Sequence, residues 1–164
     1  MQSLHTQVMA EIRFYHLTDS PLERALPRML ELTLERGGRA IVRGKQPERL
    51  KFLETHLWTY QDDAFLPHGL AEDPHASAQP VLLTTSANIL NGAETLFLID
   101  GAEPDFAEVA ALNLTAILFD GHDPVAVDAA RGQWRSTVAA DLTAVYWAQE
   151  NGRWTKKAEA GGKT

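Results

Sequence analysis

The sequence predicts an α/β fold, with a mostly parallel central sheet flanked by helices and closed by a C-terminal β-hairpin. Three observations predict it. Strand-like and helix-like segments alternate along the chain with short links, the order that builds parallel sheets between helical layers. Two strand-like runs, 95–99 and 114–119, are almost wholly apolar, as suits strands covered on both faces. The last β-prone runs flank Glu150-Asn151-Gly152, and Asn-Gly is a strong two-residue turn signal.

Each element follows from local chemistry. Residues 1–8 have no clear period and Met9-Ala10-Glu11 reads as a second start, so 1–8 are expected to be a frayed extension. Glu11–Leu17 alternates and is the first strand. Ser20 is the expected N-cap of the first helix, with Pro21 at the first helical position and Glu23 completing a capping box. Leu22, Leu26, Met29 and Leu30 keep helical spacing, Pro27 should kink the helix, and Gly37-Gly38 should end it. Residues 39–43 read as a strand and 46–57 as a helix. A loop follows to Gln79; its Trp58, Phe65 and Leu70 are too apolar for a solvated loop, so it is packed down or presented to a partner. Strands are expected at 80–84, 95–99 and 114–119, a short helix at 104–112, and a longer one from Asp123-Pro124 to about Ala140. The chain then turns to the hairpin, with a flexible tail from Ala158, so the folded domain is expected over 9–157 and the tail over 158–164.

Bulk composition narrows the function classes. The chain has 164 residues, 45% of them hydrophobic, enough for one domain with a core. A net charge of −7 opposes broad contact with a nucleic-acid backbone. There are no cysteines, hence no disulfide framework and no thiolate chemistry. No apolar run approaches a membrane span and no signal peptide is evident, so a cytoplasmic protein is expected.

Catalytic and cofactor motifs are weak. A dinucleotide fold needs a Gly-rich first turn. Here that turn is His16-Leu17-Thr18-Asp19-Ser20-Pro21, without glycine and with an acid where a phosphate would sit. The topology is thus Rossmann-like without a dinucleotide fingerprint. The six histidines show no zinc-like spacing, and neither Ser20 nor Ser86 lies in a Gly-x-Ser-x-Gly elbow. No cofactor or metal is expected, and His68 reads as a structural imidazole. The alternative function, a nucleotide-binding or hydrolytic α/β enzyme, rests on the fold alone. The better candidate is the last long helix, where Arg131, Trp134 and Arg135 share one face at i, i+3 and i+4. Two guanidinium groups beside an indole suit an acidic peptide with an aromatic end. Ordinary amphipathy, with Trp134 in the core and both arginines solvated, would give the same spacing.

Leu57-Trp58, then Phe65-Leu66-Pro67-His68-Gly69-Leu70, then Pro80-Val81-Leu82 resembles the chi subunits of bacterial DNA polymerase III over most of the chain, from Phe14-Tyr15 to about Trp147. The resemblance implies a non-catalytic adaptor in DNA replication. It would link the clamp loader to single-stranded-DNA-binding protein by taking that protein's acidic C-terminal tail. It also implies that Arg131, Trp134 and Arg135 carry the tail site, with Trp and Arg where the family more often shows Tyr and Lys. Phe65 would contact psi, the small partner joining chi to the clamp loader. The hairpin and Lys-bearing tail after Trp147 extend past shorter chi chains and receive no role from the resemblance.

Overall fold

The structure is a computed structural model that describes residues 10–60, 66–89 and 91–161. Eight strands form one sheet in the order β3-β4-β2-β5-β6-β1-β7-β8. In chain order they are β1 (Glu11–Leu17), β2 (Ala40–Arg43), β3 (His68–Leu70), β4 (Val81–Thr84), β5 (Thr95–Leu98), β6 (Leu114–Asp120), β7 (Thr143–Glu150) and β8 (Arg153–Ala160). Every neighbouring pair is parallel except β7–β8, the antiparallel hairpin. Asn151 and Gly152 both take positive φ at its tip, the backbone a type I′ turn requires.

The helices are α1 (Leu22–Glu35), α2 (Pro47–Thr59), α3 (Phe106–Ala110) and α4 (Pro124–Ala139). Helices α1 and α2 cover one face, where Leu26, Leu30, Leu53 and Leu57 pack on Val42, Leu83 and Leu118. Helices α3 and α4 cover the other, where Val109, Ala130 and Trp134 pack on Phe14, Leu96 and Ile117. Burial on both faces accounts for the unalternating β5 and β6.

The first helix differs from expectation at its start. Pro21 is its N-cap and no side chain caps it. The Ser20 hydroxyl instead accepts from Gln149 Nε2 at 2.6 Å, and Glu23 pairs with Arg49 at 2.8 Å. These long-range partners outcompete the local box. Helix α1 also runs unbroken through Pro27. The ring leaves the Glu23 carbonyl without its helical donor, and His56 Nε2 of α2 donates to it at 2.7 Å. At the C-terminus, Gly38 N–H reaches the Thr33 carbonyl and Gly37 N–H that of Leu34, a Schellman closure with Gly37 at φ 81°.

Two further boundaries moved. The His-Gly-Leu segment, expected within a loop, is the edge strand β3. The imidazole of His68 is buried, with Nδ1 2.6 Å from the Leu66 carbonyl and Nε2 2.9 Å from that of Glu54, so it ties β3 to α2. Strand β8 continues to Ala160, past the domain end expected at 157, because Ala158 and Ala160 pair with Tyr146 and Ala144.

Candidate functional site

Helix α4 lies over β6, β1 and β7. Asp123 caps it, its carboxylate accepting from Val125 N–H at 3.0 Å, and Pro124 takes the first turn. Ala130 and Thr137 are its buried centre line. Turning from that line toward β7 brings, at helical spacing, Trp134, Arg131 and then Arg135.

Trp134 is half-buried. Its ring centroid lies 5.5 Å from that of Phe14 in a tilted contact and 5.9 Å from that of Tyr146 in an edge contact. Part of the indole is therefore core, and part remains open beside the arginines. Arg131 and Arg135 are exposed. Arg13, Arg28, Arg43, Arg49, Lys156 and Lys157 pair with carboxylates, whereas among the described residues no carboxylate lies within ion-pair distance of Arg131 or Arg135. Gly132 exposes helix backbone between them; a Cβ there would sit 3.9 Å from Arg135 Nη2. The flank can thus offer two guanidinium forks to one side of a partly open aromatic ring, the chemistry that takes planar carboxylates and an apolar anchor.

Tyr146 belongs to this corner and sequence reasoning missed it. Its hydroxyl lies 2.7 Å from His16 Nδ1, and burial pushes its phenol pKa up, with the Arg131 charge pulling partly back. His16 fits only because residue 121 is glycine: a Cβ there would come within 2.1 Å of the imidazole Cδ2. The available signal was period two in Ala144, Tyr146 and Ala148, which puts all three on the face that α4 covers.

A second concavity, a crevice of about 940 Å³, opens at the carboxyl ends of β1, β5 and β6. That is where open α/β sheets commonly hold ligands. Its lining includes Asp19, Glu23, Asp100, Asp120 and Asp123, with Arg49 tied to Glu23 and Asp100. The β1–α1 turn does form an anion nest, but it is filled. Gln149 Oε1 accepts from the backbone N–H groups of Thr18, Asp19 and Ser20 at 2.8, 2.8 and 3.2 Å. A side chain of this protein occupies the place a phosphate would take.

Near the opposite sheet edge, Trp58 is 51% exposed. Its ring sits 4.3 Å from that of His68, and its Nε1 donates to Glu54 at 2.9 Å. Leu70, also singled out in this stretch, is half-buried in β3, and Phe65 lies outside the described residues. Among the described residues no group of His, Asp or Glu side chains is placed to hold a metal, and no helix is long and apolar enough to cross a membrane.

Comparison with known proteins agrees with the resemblance seen in the sequence. A curated relative, the probable DNA polymerase III subunit chi of Rickettsia prowazekii (strain Madrid E), is 26% identical over 91 residues. That match covers 56% of this chain and 55% of the relative, so the chain spans little more than half of that protein. The family model for the DNA polymerase III chi subunit, HolC, matches residues 9–144, which include α4 and all the strands up to the start of β7. The chain belongs to the DNA polymerase III chi subunit family.

Proposed function

We propose that this protein is a non-catalytic, cytoplasmic adaptor in DNA replication. It links the clamp loader to single-stranded-DNA-binding protein by recognising that protein's acidic C-terminal tail on α4. One observation carries this reading. On one face of α4, Arg131 and Arg135, which have no carboxylate partner among the described residues, lie beside the half-buried Trp134. The guanidinium groups take tail carboxylates, and the open part of Trp134 contacts the terminal aromatic ring. The psi partner docks through Phe65, in the link between α2 and β3. Trp58, in the last turn of α2, is a large exposed apolar side chain. A nucleotide-binding or hydrolytic enzyme is disfavoured on physical grounds, because carboxylates line the strand-end crevice and Gln149 fills the nest.

The test is a titration of a labelled acidic peptide ending in Pro-Phe. Replacing Arg131 or Arg135 by Ala should weaken binding by roughly tenfold, since a charge-assisted hydrogen bond contributes about 1.5–3 kcal/mol. Arg135→Glu should be worse, because like charges then face each other. Phe65→Ala should leave the affinity nearly intact. Equal binding by wild type and Arg135→Glu at low salt would remove α4 as the tail site.

A further inference from the structure

We propose that the β7–β8 hairpin is the second wall of the α4 site, forming with it a groove for an extended acidic peptide. This rests on the reading of α4 as the peptide site. Most of the hairpin lies beyond residue 144, where the family match ends, so the family assignment leaves it without a role.

Register fixes which hairpin residues face α4. Tyr146 packs against Trp134, so Ala144 and Ala148 share its side. Cross-strand pairing puts Ala158 opposite Tyr146, Ala160 opposite Ala144 and Thr155 opposite Ala148. Ala144 is buried beneath the helix, and the open floor beside α4 carries Ala148, Ala158 and Ala160, of which Ala158 is exposed. With small side chains on β8, the strand beyond the helix, a trough remains alongside the indole and the two guanidiniums.

The groove has a closed end. Gly161, at φ 78°, packs against the link between α4 and β7, where a Cβ would lie 2.2 Å from the Leu142 carbonyl oxygen, with Val138 Cα at the end of α4 3.6 Å away. From there the trough runs past Arg135 and Arg131 toward the hairpin tip. Its charge fits an acidic occupant. Arg131 and Arg135 line the helical wall, and Glu150, the carboxylate toward the tip, is bound by Lys157. Asp128, one turn before Arg131, is the acid at the far end of the helical wall. The closed end suits a chain terminus, with the acidic stretch lying along the alanine floor.

Labelled peptide anisotropy on the full chain tests this with four variants. Ala158→Glu places an anion on the floor from an exposed strand position, and should weaken binding by about fivefold or more at low salt, through like-charge opposition within a Debye length. Ala158→Lys should tighten it. Lys156→Glu lies on the opposite face, opposite Trp147. It changes net charge more than Ala158→Glu does, yet should shift affinity by less than about twofold if contact rather than overall charge matters. Circular dichroism confirms folding of each. If both Ala158 variants bind like wild type while Arg135→Glu binds poorly, the hairpin is not a wall and the α4 site stands alone. If Lys156→Glu weakens binding as much as Ala158→Glu, overall charge explains the loss and the groove is overturned. If Arg135→Glu also binds like wild type, the α4 reading itself falls.

Discussion

At the scale of single residues, the side chain of Gln149 closes a site that the fold leaves open. Its carboxamide oxygen accepts from Thr18, Asp19 and Ser20 N–H, its Nε2 donates to the Ser20 hydroxyl, and its carbonyl accepts from Thr18 Oγ1 at 3.3 Å. Gly152 N–H adds a bond to the Asp19 carboxylate at 2.9 Å. Gln149→Ala leaves the three turn donors unmet. The groups are only partly buried, so water meets some of the need, and the expected loss is about 1–2 kcal/mol, or roughly 2–6 °C in Tm for a chain of this size. Gln149→Glu should recover part of it, since a carboxylate accepts the same bonds but stands near Asp19 and cannot donate to Ser20. Thermal unfolding of the two variants decides; a Gln149→Ala protein as stable as wild type would mean the turn holds itself. Nothing in the sequence around residue 149 announces this contact, because its partners are about 130 residues away. Arg131, Trp134 and Arg135 were legible because α4 brings them together by local periodicity alone.

At the scale of elements, α1 and α2 are joined by side chains that replace what a proline removes. His56 serves the Glu23 carbonyl, and Arg49 binds the Glu23 carboxylate at 2.8 Å and Asp100 at 2.8 Å. Burial works to raise the Glu23 carboxyl, but bonds from its own backbone N–H and from Arg49 outweigh it and hold the pKa below the ordinary 4.5. A carboxyl whose folded pKa is depressed adds stability above its unfolded pKa and loses it as pH falls through the folded value. The stability gap between wild type and Glu23→Gln should therefore be present at pH 6, and should shrink below about pH 4.5 toward nothing at lower pH. Urea midpoints at a series of pH values measure it; a gap independent of pH would show that the Arg49 pair contributes no charge-dependent stability. The elements themselves were readable where one local pattern dominated: alternation in β1, an almost unbroken apolar run in β6 and helical spacing in α4. They were misread where distant partners decided. Ser20 is a good cap in isolation, yet its hydroxyl goes to Gln149. Residues 68–70 make a strand too short to alternate, fixed by pairing with β4 and by His68 reaching back to α2. The strand order, with β1 between β6 and β7, depends on crossovers that no local pattern records.

At the scale of the whole molecule, charge separates peptide recognition from nucleic-acid binding. The chain carries −7 overall, and Arg13, Arg28, Arg43, Arg49, Lys156 and Lys157 are held by carboxylates of the same fold. A backbone footprint on single-stranded DNA requires several cations tracking successive phosphates, with aromatic faces open for base stacking. The α4 flank supplies Arg131 and Arg135, and Trp134 gives part of its ring to Phe14 and Tyr146. Two cations neutralising two phosphates release little counterion, a salt slope near −1.4 on a single strand, and the surrounding acidic surface opposes approach. A short acidic peptide needs no more than those two cations and one apolar contact. The purified protein should accordingly leave the anisotropy of a labelled oligonucleotide of about 20 nucleotides unchanged at about 0.15 M salt, where screening has removed long-range attraction. Under the same conditions it should still bind the acidic tail peptide, and lose it as salt rises further. Tight, salt-sensitive binding of the oligonucleotide would turn the adaptor reading into one of direct contact with the template strand.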